Sequence, residues 1–317
     1  MKYARELDTA LAAVRTAARL CEQVRADQQS TAMRKPDASP VTLADYGAQA
    51  IICQTLAIAF PDNPIVGEED ARLISGPEQG STRRDILSYV QRQHPEATEA
   101  DLLAWIGRGK GEAGDRFWTL DPIDGTKGYV RGDHYAVALA LIEDGVVQLG
   151  CCACPALPAA DGSIGTLFWG IRGEGAWQQP LQGGPDQRLS VSDHHGPTAV
   201  MIESVELDHG DPQRQQAIAR ALDLNPAIAR MDSLAKYGVI ARGEADLYLR
   251  LTPDPDRREN IWDHAVGVLL LEEAGGTVTD DRGQALDFSR GSRLWANHGI
   301  VASNGRFHAD LLAHLTD

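Results

Sequence analysis

Apolar residues recur at three- and four-residue steps over 4–28, where Leu7, Leu11, Val14, Ala18, Cys21 and Val24 form one stripe. The chain therefore opens with an amphipathic helix. A polar stretch, Gln28 to Ser39, precedes SPVTLADYGAQAII, in which Thr42 is placed to N-cap a second helix with Asp45 three positions on, a variant of the capping box. IVGEED (65–70) reads as a short strand ending in acids. Residues 71–116 are polar and hold two helices, around 82–92 and 98–107, before a glycine-rich exit, GRGKGEAGD. Phe117-Trp118-Thr119-Leu120 has the aromatic and β-branched alternation of a strand. Pro122 cannot donate to a ladder, so that strand should end there, and Gly125 permits a tight turn.

Tyr135 to Cys154 reads as a β-hairpin turning at Asp144-Gly145, and TLFWGI and GAW continue its sheet. SVSDHHGPTA (190–199) breaks the composition and serves as the candidate linker. Beyond it, strands VMIE, AIARM and ADLYLRL alternate with helices near 212–222, 233–242 and 263–274. Alternation of this kind predicts an α/β unit. The expected organisation is an N-terminal α+β domain, 1–192, and a C-terminal α/β domain, 193–317. No internal repeat is visible.

The 317 residues are 43% hydrophobic and 24% charged, a globular composition long enough to bury a sizeable core without staples. No apolar run approaches the ~20 residues that span a bilayer. MKYARELDTALAAVRTAARLCEQ lacks the continuous apolar stretch of a signal peptide, so neither membrane attachment nor export is expected. Cys151, Cys152 and Cys154 cluster, but no CxxC pair or matching histidines complete a zinc site. The five cysteines are expected to pack as small buried residues in a reducing cytoplasm. A net charge of −15 and a pI near 5.0 disfavour general nucleic-acid binding, which needs clustered Lys and Arg. An anionic substrate stays open if a few cations and metals make the site locally positive. No protein partner is predicted.

Three acidic places bear on chemistry: Glu68 and Glu69, Asp121 and Asp124 in DPIDGT, and Asp263 in IWDHAVGVLLLEEAGG. Taken singly, Asp263 is an acid favoured in a first helical turn and GEED is a solvated charge run. Taken together, they are oxygen donors of the kind that suits Mg²⁺. Two such ions, ~3.5–4 Å apart, clamp the attacking and leaving oxygens of an in-line displacement. Gly125 and Thr126 would offer backbone N–H groups and a hydroxyl to a phosphate.

DPIDGTKGYVRG, with GEED upstream and IWDHAVGVLLLEEAGG downstream, resembles the lithium-sensitive, magnesium-dependent phosphatase superfamily of inositol monophosphatases, fructose-1,6-bisphosphatases and 3′(2′),5′-bisphosphate nucleotidases, from about Lys35 to Asn304. The long 71–116 segment, MDSLAKYG (231–238) and ARGEADLYLRL (241–251) are most similar to the nucleotidase branch. The resemblance implies the inositol-monophosphatase-like sugar-phosphatase fold, an αβαβα sandwich. It implies hydrolysis of the 3′-phosphate of 3′-phosphoadenosine 5′-phosphate with two or three Mg²⁺ per site, inhibited by Li⁺, with phosphoadenylyl sulfate as a second substrate. It assigns Glu68, Asp121, the Ile123 carbonyl, Asp124 and Asp263 to metals, and Asp45 with Thr126 to the attacking water. A carboxylate paired with a hydroxyl can orient a water and accept its proton, although helix capping alone would also account for Asp45.

His209, Ser233, Lys236 and Arg250 match the nucleotide-contacting positions of that branch; alone, they would read as a surface histidine, a surface lysine and a strand-edge arginine beside a serine. Gly210 stands where serine is usual, and Arg257-Arg258-Glu259-Asn260 where Tyr-Arg-Glu-Lys is usual. Inositol phosphates and NADP(H) are the alternative substrates, and a nucleotide-binding sensor without turnover is the alternative class.

Overall fold

The computed structural model describes residues 2–27, 33–34, 40–206, 211–225, 228–252 and 254–315. Helix α1 (Ala4–Asp27) has the length and stripe that its periodicity predicts, with Leu7, Ala10, Val14, Ala17, Cys21 and Val24 buried. Its alanines let it lie close to α2 (Leu43–Ala59): a Cβ on Gly47 would come 2.9 Å from the Leu20 side chain. The capping box forms, with the Ala44 N–H donating to Thr42 Oγ and the Thr42 N–H to Asp45 Oδ2. Leu43 to Cys53 are all buried, as befits a helix apolar on every side. Helices α3 (Gly80–Val90) and α4 (Glu99–Gly107) pack outside it, each within two residues of its predicted position. A two-residue pair, β1 (Met33–Arg34) and β2 (Pro40–Val41), precedes α2.

The first sheet has the order β3-β4-β5-β6-β7-β8-β9, from β3 (Ile65–Gly67), β4 (Arg116–Asp124), β5 (Ala136–Glu143), β6 (Val146–Pro158), β7 (Ile164–Ile171), β8 (Gly175–Pro180) and β9 (Gln187–Arg188). β3 runs parallel to β4 and every later pairing is antiparallel. The predicted hairpin turn holds: Asp144 and Gly145 both have positive φ, at 49° and 73°, as a two-residue type I′ turn requires.

Two expectations need correction. β4 does not end at Pro122 but continues to Asp124, because a shift of register between Asp121 and Asp124 excuses the proline from the ladder. β3 stops at Gly67, so Glu68 and Glu69 follow the strand rather than ending it.

Period-two alternation sorts the faces of this sheet. Trp118, Leu120, Val137, Leu139 and Leu141 join the cluster of α1 and α2. Ala136, Ala138, Ala140 and Ile142 face the other way, toward α7 (Ala235–Ala241) and α8 (Ala265–Glu273). The small residues there admit close helices; a Cβ on Gly150 would sit 3.2 Å from Val266 Cα. Both helices start two residues later than their patterns predict, which leaves Asp263 just ahead of α8.

On their far side lies the second sheet, in the order β11-β10-β12-β14-β13, from β10 (Met201–Glu203), β11 (Ile228–Arg230), β12 (Leu247–Arg250), β13 (Thr277–Thr279) and β14 (Ile300–Ser303). Its outer face is covered by α6 (Pro212–Ala221) and α9 (His308–Ala313), through Ile218 and Leu311 against Met201, Leu249 and Val301. Helix α5 (Thr126–Arg131) follows β4. The layers run helix, sheet, helix, sheet, helix: the expected αβαβα sandwich. Among the described residues no helix is long and apolar enough to cross a membrane. All five cysteines are free and buried.

Candidate metal centre and substrate cleft

The register shift in β4 turns Asp121 and Asp124 to the same end of the first sheet, where the segment leading into α8 delivers Asp263, one residue before the N-cap His264. One oxygen from each of the three lies within 4.8 Å of the others. Burial first, then the neighbouring Glu68, Asp124 and Asp263, push the Asp121 carboxyl well above its ordinary range, and Glu68 shares a hydrogen bond with it. Burial followed by Asp124 does the same to Asp263. Asp124 is raised by burial too, but Lys236, the N–H of Leu234 and Arg250 pull it back. The donors are all oxygens and carry more negative charge than their surroundings balance. That is the chemistry of a site for hard divalent cations.

Asp121 is held across the register shift, its Oδ1 accepting the Ile123 N–H at 3.0 Å. The carbonyl of Ile123 accepts from Thr126 Oγ at 3.0 Å, and the same hydroxyl lies 3.4 Å from Asp45 Oδ1. Asp45 has divided its oxygens. Oδ2 takes the Thr42 N–H at 2.7 Å and the Thr42 hydroxyl at 2.6 Å, while Oδ1 faces Thr126. Capping and proximity to Thr126 are therefore not alternatives; the residue does both.

The opposite wall comes from the second sheet and α7. Gly125, at φ 85°, brings its backbone against Ser233: a Cβ would lie 3.0 Å from that of Ser233. Ser233 itself holds a positive φ of 70°, uncommon for a residue with a Cβ, and its Oγ accepts the Ala235 N–H at 3.2 Å. Lys236 is no surface lysine. It is 4% exposed and donates to the carbonyls of Met231 (3.1 Å) and Ser233 (2.7 Å). Burial brings its ammonium down to about 8, an effect that the charge of Asp124 opposes. Arg250 is partly buried and paired with Glu259 at 2.7 Å. Burial would lower its guanidinium, but Glu259, Tyr248 and Asp263 together outweigh that and hold it above its ordinary value.

Glu68, Asp124, Asp263, Ser233, Lys236 and Arg250 all line one cleft of ≈ 770 Å³. The structure thus brings together all the predicted site residues it describes. His209 lies outside the described residues, as do Gly210 and Lys35.

Sequence reasoning missed Glu259, His264 and Tyr237. The only signal for Glu259 was its place four residues before Asp263, in a segment notable for the aromatic it lacks. Glu259 accepts Arg257 Nε at 3.1 Å besides Arg250, and these cations with His264 outweigh burial and hold its carboxyl well below the usual range. Glu259, Asp263 and His264 also bring ligand atoms within 4.8 Å. Two guanidinium groups already occupy Glu259, so the aspartate trio is the better cation site.

The sequence profile of the inositol monophosphatase family matches residues 2–317. The 3′(2′),5′-bisphosphate nucleotidase of Emericella nidulans is 40% identical over 336 residues, covering 96% of this chain and 95% of that one. Its namesake in Oryza sativa is 41% identical over 345 residues, covering 99% and 94%. The enzyme of the same name in Schizosaccharomyces pombe is 38% identical over 328 residues, covering 96% and 92%. Among solved structures, the IMPase of Thermotoga maritima superposes with a TM-score of 0.67 at 22% identity, covering 98% of this chain and 96% of that one. The extragenic suppressor protein suhB of Bartonella henselae matches with a TM-score of 0.67 at 22% identity over 98% of both chains. These two likenesses concern the fold.

Proposed function

The chain belongs to the inositol monophosphatase family, and from that premise we propose that it is a phosphomonoesterase removing the 3′-phosphate of 3′-phosphoadenosine 5′-phosphate to give AMP and phosphate. The three relatives at about 40% identity carry the bisphosphate nucleotidase name, which supports the substrate class. One observation of this chain carries the reading furthest. A cluster of carboxylates suited to divalent cations shares its cleft with two cations, the buried Lys236 and the partly buried Arg250. A substrate with a single phosphate would need only the first; a bisphosphate uses both. Phosphoadenylyl sulfate, with the same 3′-phosphate, fits as a second substrate.

All-oxygen donors suit hard divalent cations, of which the family resemblance favours magnesium, with Glu68, Asp121, the Ile123 carbonyl, Asp124 and Asp263 to hold it and Li⁺ to compete with it. When bound, it would offset the charge developing on the transferred phosphoryl group and the departing 3′-oxygen. The chain's own residues do the rest. Asp45 Oδ1 takes the proton of the attacking water, with Thr126 Oγ to orient that water. Because Thr42 holds Oδ2, the base does not swing away. The N–H groups of Gly125 and Thr126 meet the phosphate oxygens, while Ser233, Lys236, Arg250 and His209 take the nucleotide and its second phosphate. The buried free cysteines suit a cytoplasmic setting.

The test is phosphate release with Mg²⁺ from 3′-phosphoadenosine 5′-phosphate, inositol 1-phosphate, fructose 1,6-bisphosphate and NADP, each with and without lithium. Strong preference for the adenosine bisphosphate, abolished by lithium, is the expected result. Preference for another member of the panel would keep the carboxylate cluster but overturn the roles of Lys236 and Arg250. No release from any would favour a sensor.

A further inference from the structure

Glu259 is buried and lies outside the lining of the cleft, whereas Arg250, Tyr237 and His264 contribute to that lining. A carboxylate is costly to bury without partners, and this one has several. Arg250 Nη2 donates to Oε2 at 2.7 Å, Arg257 Nε donates to Oε1 at 3.1 Å, and His264 Nε2 lies 3.8 Å from Oε2. His264 is oriented from its other side, its Nδ1 lying 2.9 Å from the Tyr237 hydroxyl. The result is a run of polar neighbours, Tyr237, His264, Glu259 and Arg250, hydrogen-bonded at its two ends, of which only Glu259 stands behind the cleft wall. A guanidinium is a planar fork on a flexible stem, and it recognises phosphate well only when its plane is fixed beforehand. Glu259 takes one of its five N–H donors at 2.7 Å, and a second hydrogen bond, to the Tyr248 side chain, joins it in restraining that plane.

We propose that Glu259 is a positioning residue for substrate selectivity: without touching the substrate, it locks Arg250 so that the remaining donors of the guanidinium receive the second phosphate of a bisphosphorylated substrate. The proposal rests on the nucleotidase reading above. Two consequences of removing the carboxylate oppose each other. The guanidinium loses its fixed orientation, and it gains net positive charge toward a phosphate. In a cleft open to water that charge is partly screened, while geometry is not, so loss of orientation should dominate.

The experiment compares wild type, Glu259→Gln, Glu259→Ala, Arg250→Ala and the Glu259→Gln/Arg250→Ala double variant. Two ligands are used: 3′-phosphoadenosine 5′-phosphate, and adenosine 3′-monophosphate, which lacks the 5′-phosphate. The second is followed by turnover or, where turnover is too slow, as a competitive inhibitor. The expected result is a KM for the bisphosphate raised about tenfold in Glu259→Gln, equivalent to about 1.4 kcal/mol, with kcat and the monophosphate constants within about twofold. Arg250→Ala should show the same selectivity loss, and the double variant should lose no more than Arg250→Ala alone.

An equal change on both ligands would overturn the proposal, as would additive losses in the double variant or tighter binding of the bisphosphate by Glu259→Gln. If Glu259→Ala fails to fold, as a melting curve would reveal, the glutamine variant keeps the volume and one acceptor oxygen and decides alone. Wild type that releases no phosphate from the bisphosphate would refute the nucleotidase reading and this proposal together. Active wild type with unselective variants would refute the proposal only.

Discussion

Replacing Asp121 by asparagine should stabilise the metal-free protein while weakening its response to magnesium. Asp121, Asp124 and Asp263 keep one oxygen each within 4.8 Å of the others. At that distance, and at an effective dielectric constant near 20, two full charges repel by about 3.5 kcal/mol. Partial protonation relieves some of this, as the upward displacement of Asp121 and Asp263 indicates. A gain of about 1–3 kcal/mol for removing one charge is therefore reasonable. Asparagine keeps the oxygen that accepts the Ile123 N–H, and its amide can donate to Glu68.

In a chain of 317 residues each kcal/mol moves the midpoint by roughly 2 °C, so the variant should melt about 2–6 °C higher in chelator near pH 8. The direction with pH follows from the same displacement. Folded Asp121 holds its proton at pH values where the unfolded carboxyl, near 3.8, has lost it. Stability of metal-free wild type thus rises as pH falls through the raised value, and the advantage of the variant shrinks with it. Saturating magnesium cuts the variant's advantage: wild type gains about 2.7 kcal/mol at a hundredfold excess over Kd, and the variant gains less. Thermal denaturation with chelator or magnesium, at two pH values, measures all of this. A variant that melts lower in chelator, or that gains as much from magnesium as wild type, would refute the reasoning.

Asp45→Asn should lower kcat by about 10²–10⁴-fold with the melting point nearly unchanged, since the amide oxygen can still cap Thr42; unchanged turnover would reduce Asp45 to a cap. Gly128→Ala places a Cβ 2.4 Å from the His134 carbonyl oxygen and 2.6 Å from Asp232 Oδ2. It should destabilise by about 1–3 kcal/mol in chemical denaturation and displace the helix that carries Thr126. All five cysteines are buried, and burial pushes the Cys53 thiol up to about 12. No thiol should react with a disulfide reagent in the native protein within minutes near pH 8, and all five should react in denaturant.

What could be read from the sequence divides along physical lines. Long periodic segments were legible, α1 and the β5–β6 hairpin above all, because their burial pattern repeats over many residues. The six-residue helices α5 and α9 and the two-residue β9 were not, since so few residues show no period. Pro122 misled for another reason: a proline ends a regular ladder, yet at a shift of register it costs no hydrogen bond. In the site, Asp121, Asp124 and Asp263 were legible because the residue types and spacing themselves imply hard-cation chemistry. Glu259 was not, because its meaning depends on Arg250, which only the fold places 2.7 Å away. Lys236 was recognisable by resemblance alone; its burial beneath the cleft comes from the packing of α7.

The central claim is that this cleft carries a water to the 3′-phosphorus of an adenosine bisphosphate and leaves the 5′-phosphate in place. The direct measurement is a single incubation of the protein with Mg²⁺ and 3′-phosphoadenosine 5′-phosphate in ¹⁸O-labelled water, followed by mass analysis of both products. The account predicts 5′-AMP free of label and inorganic phosphate carrying one ¹⁸O per turnover. Adenosine 3′-phosphate as the product, or label in the nucleoside, would contradict it.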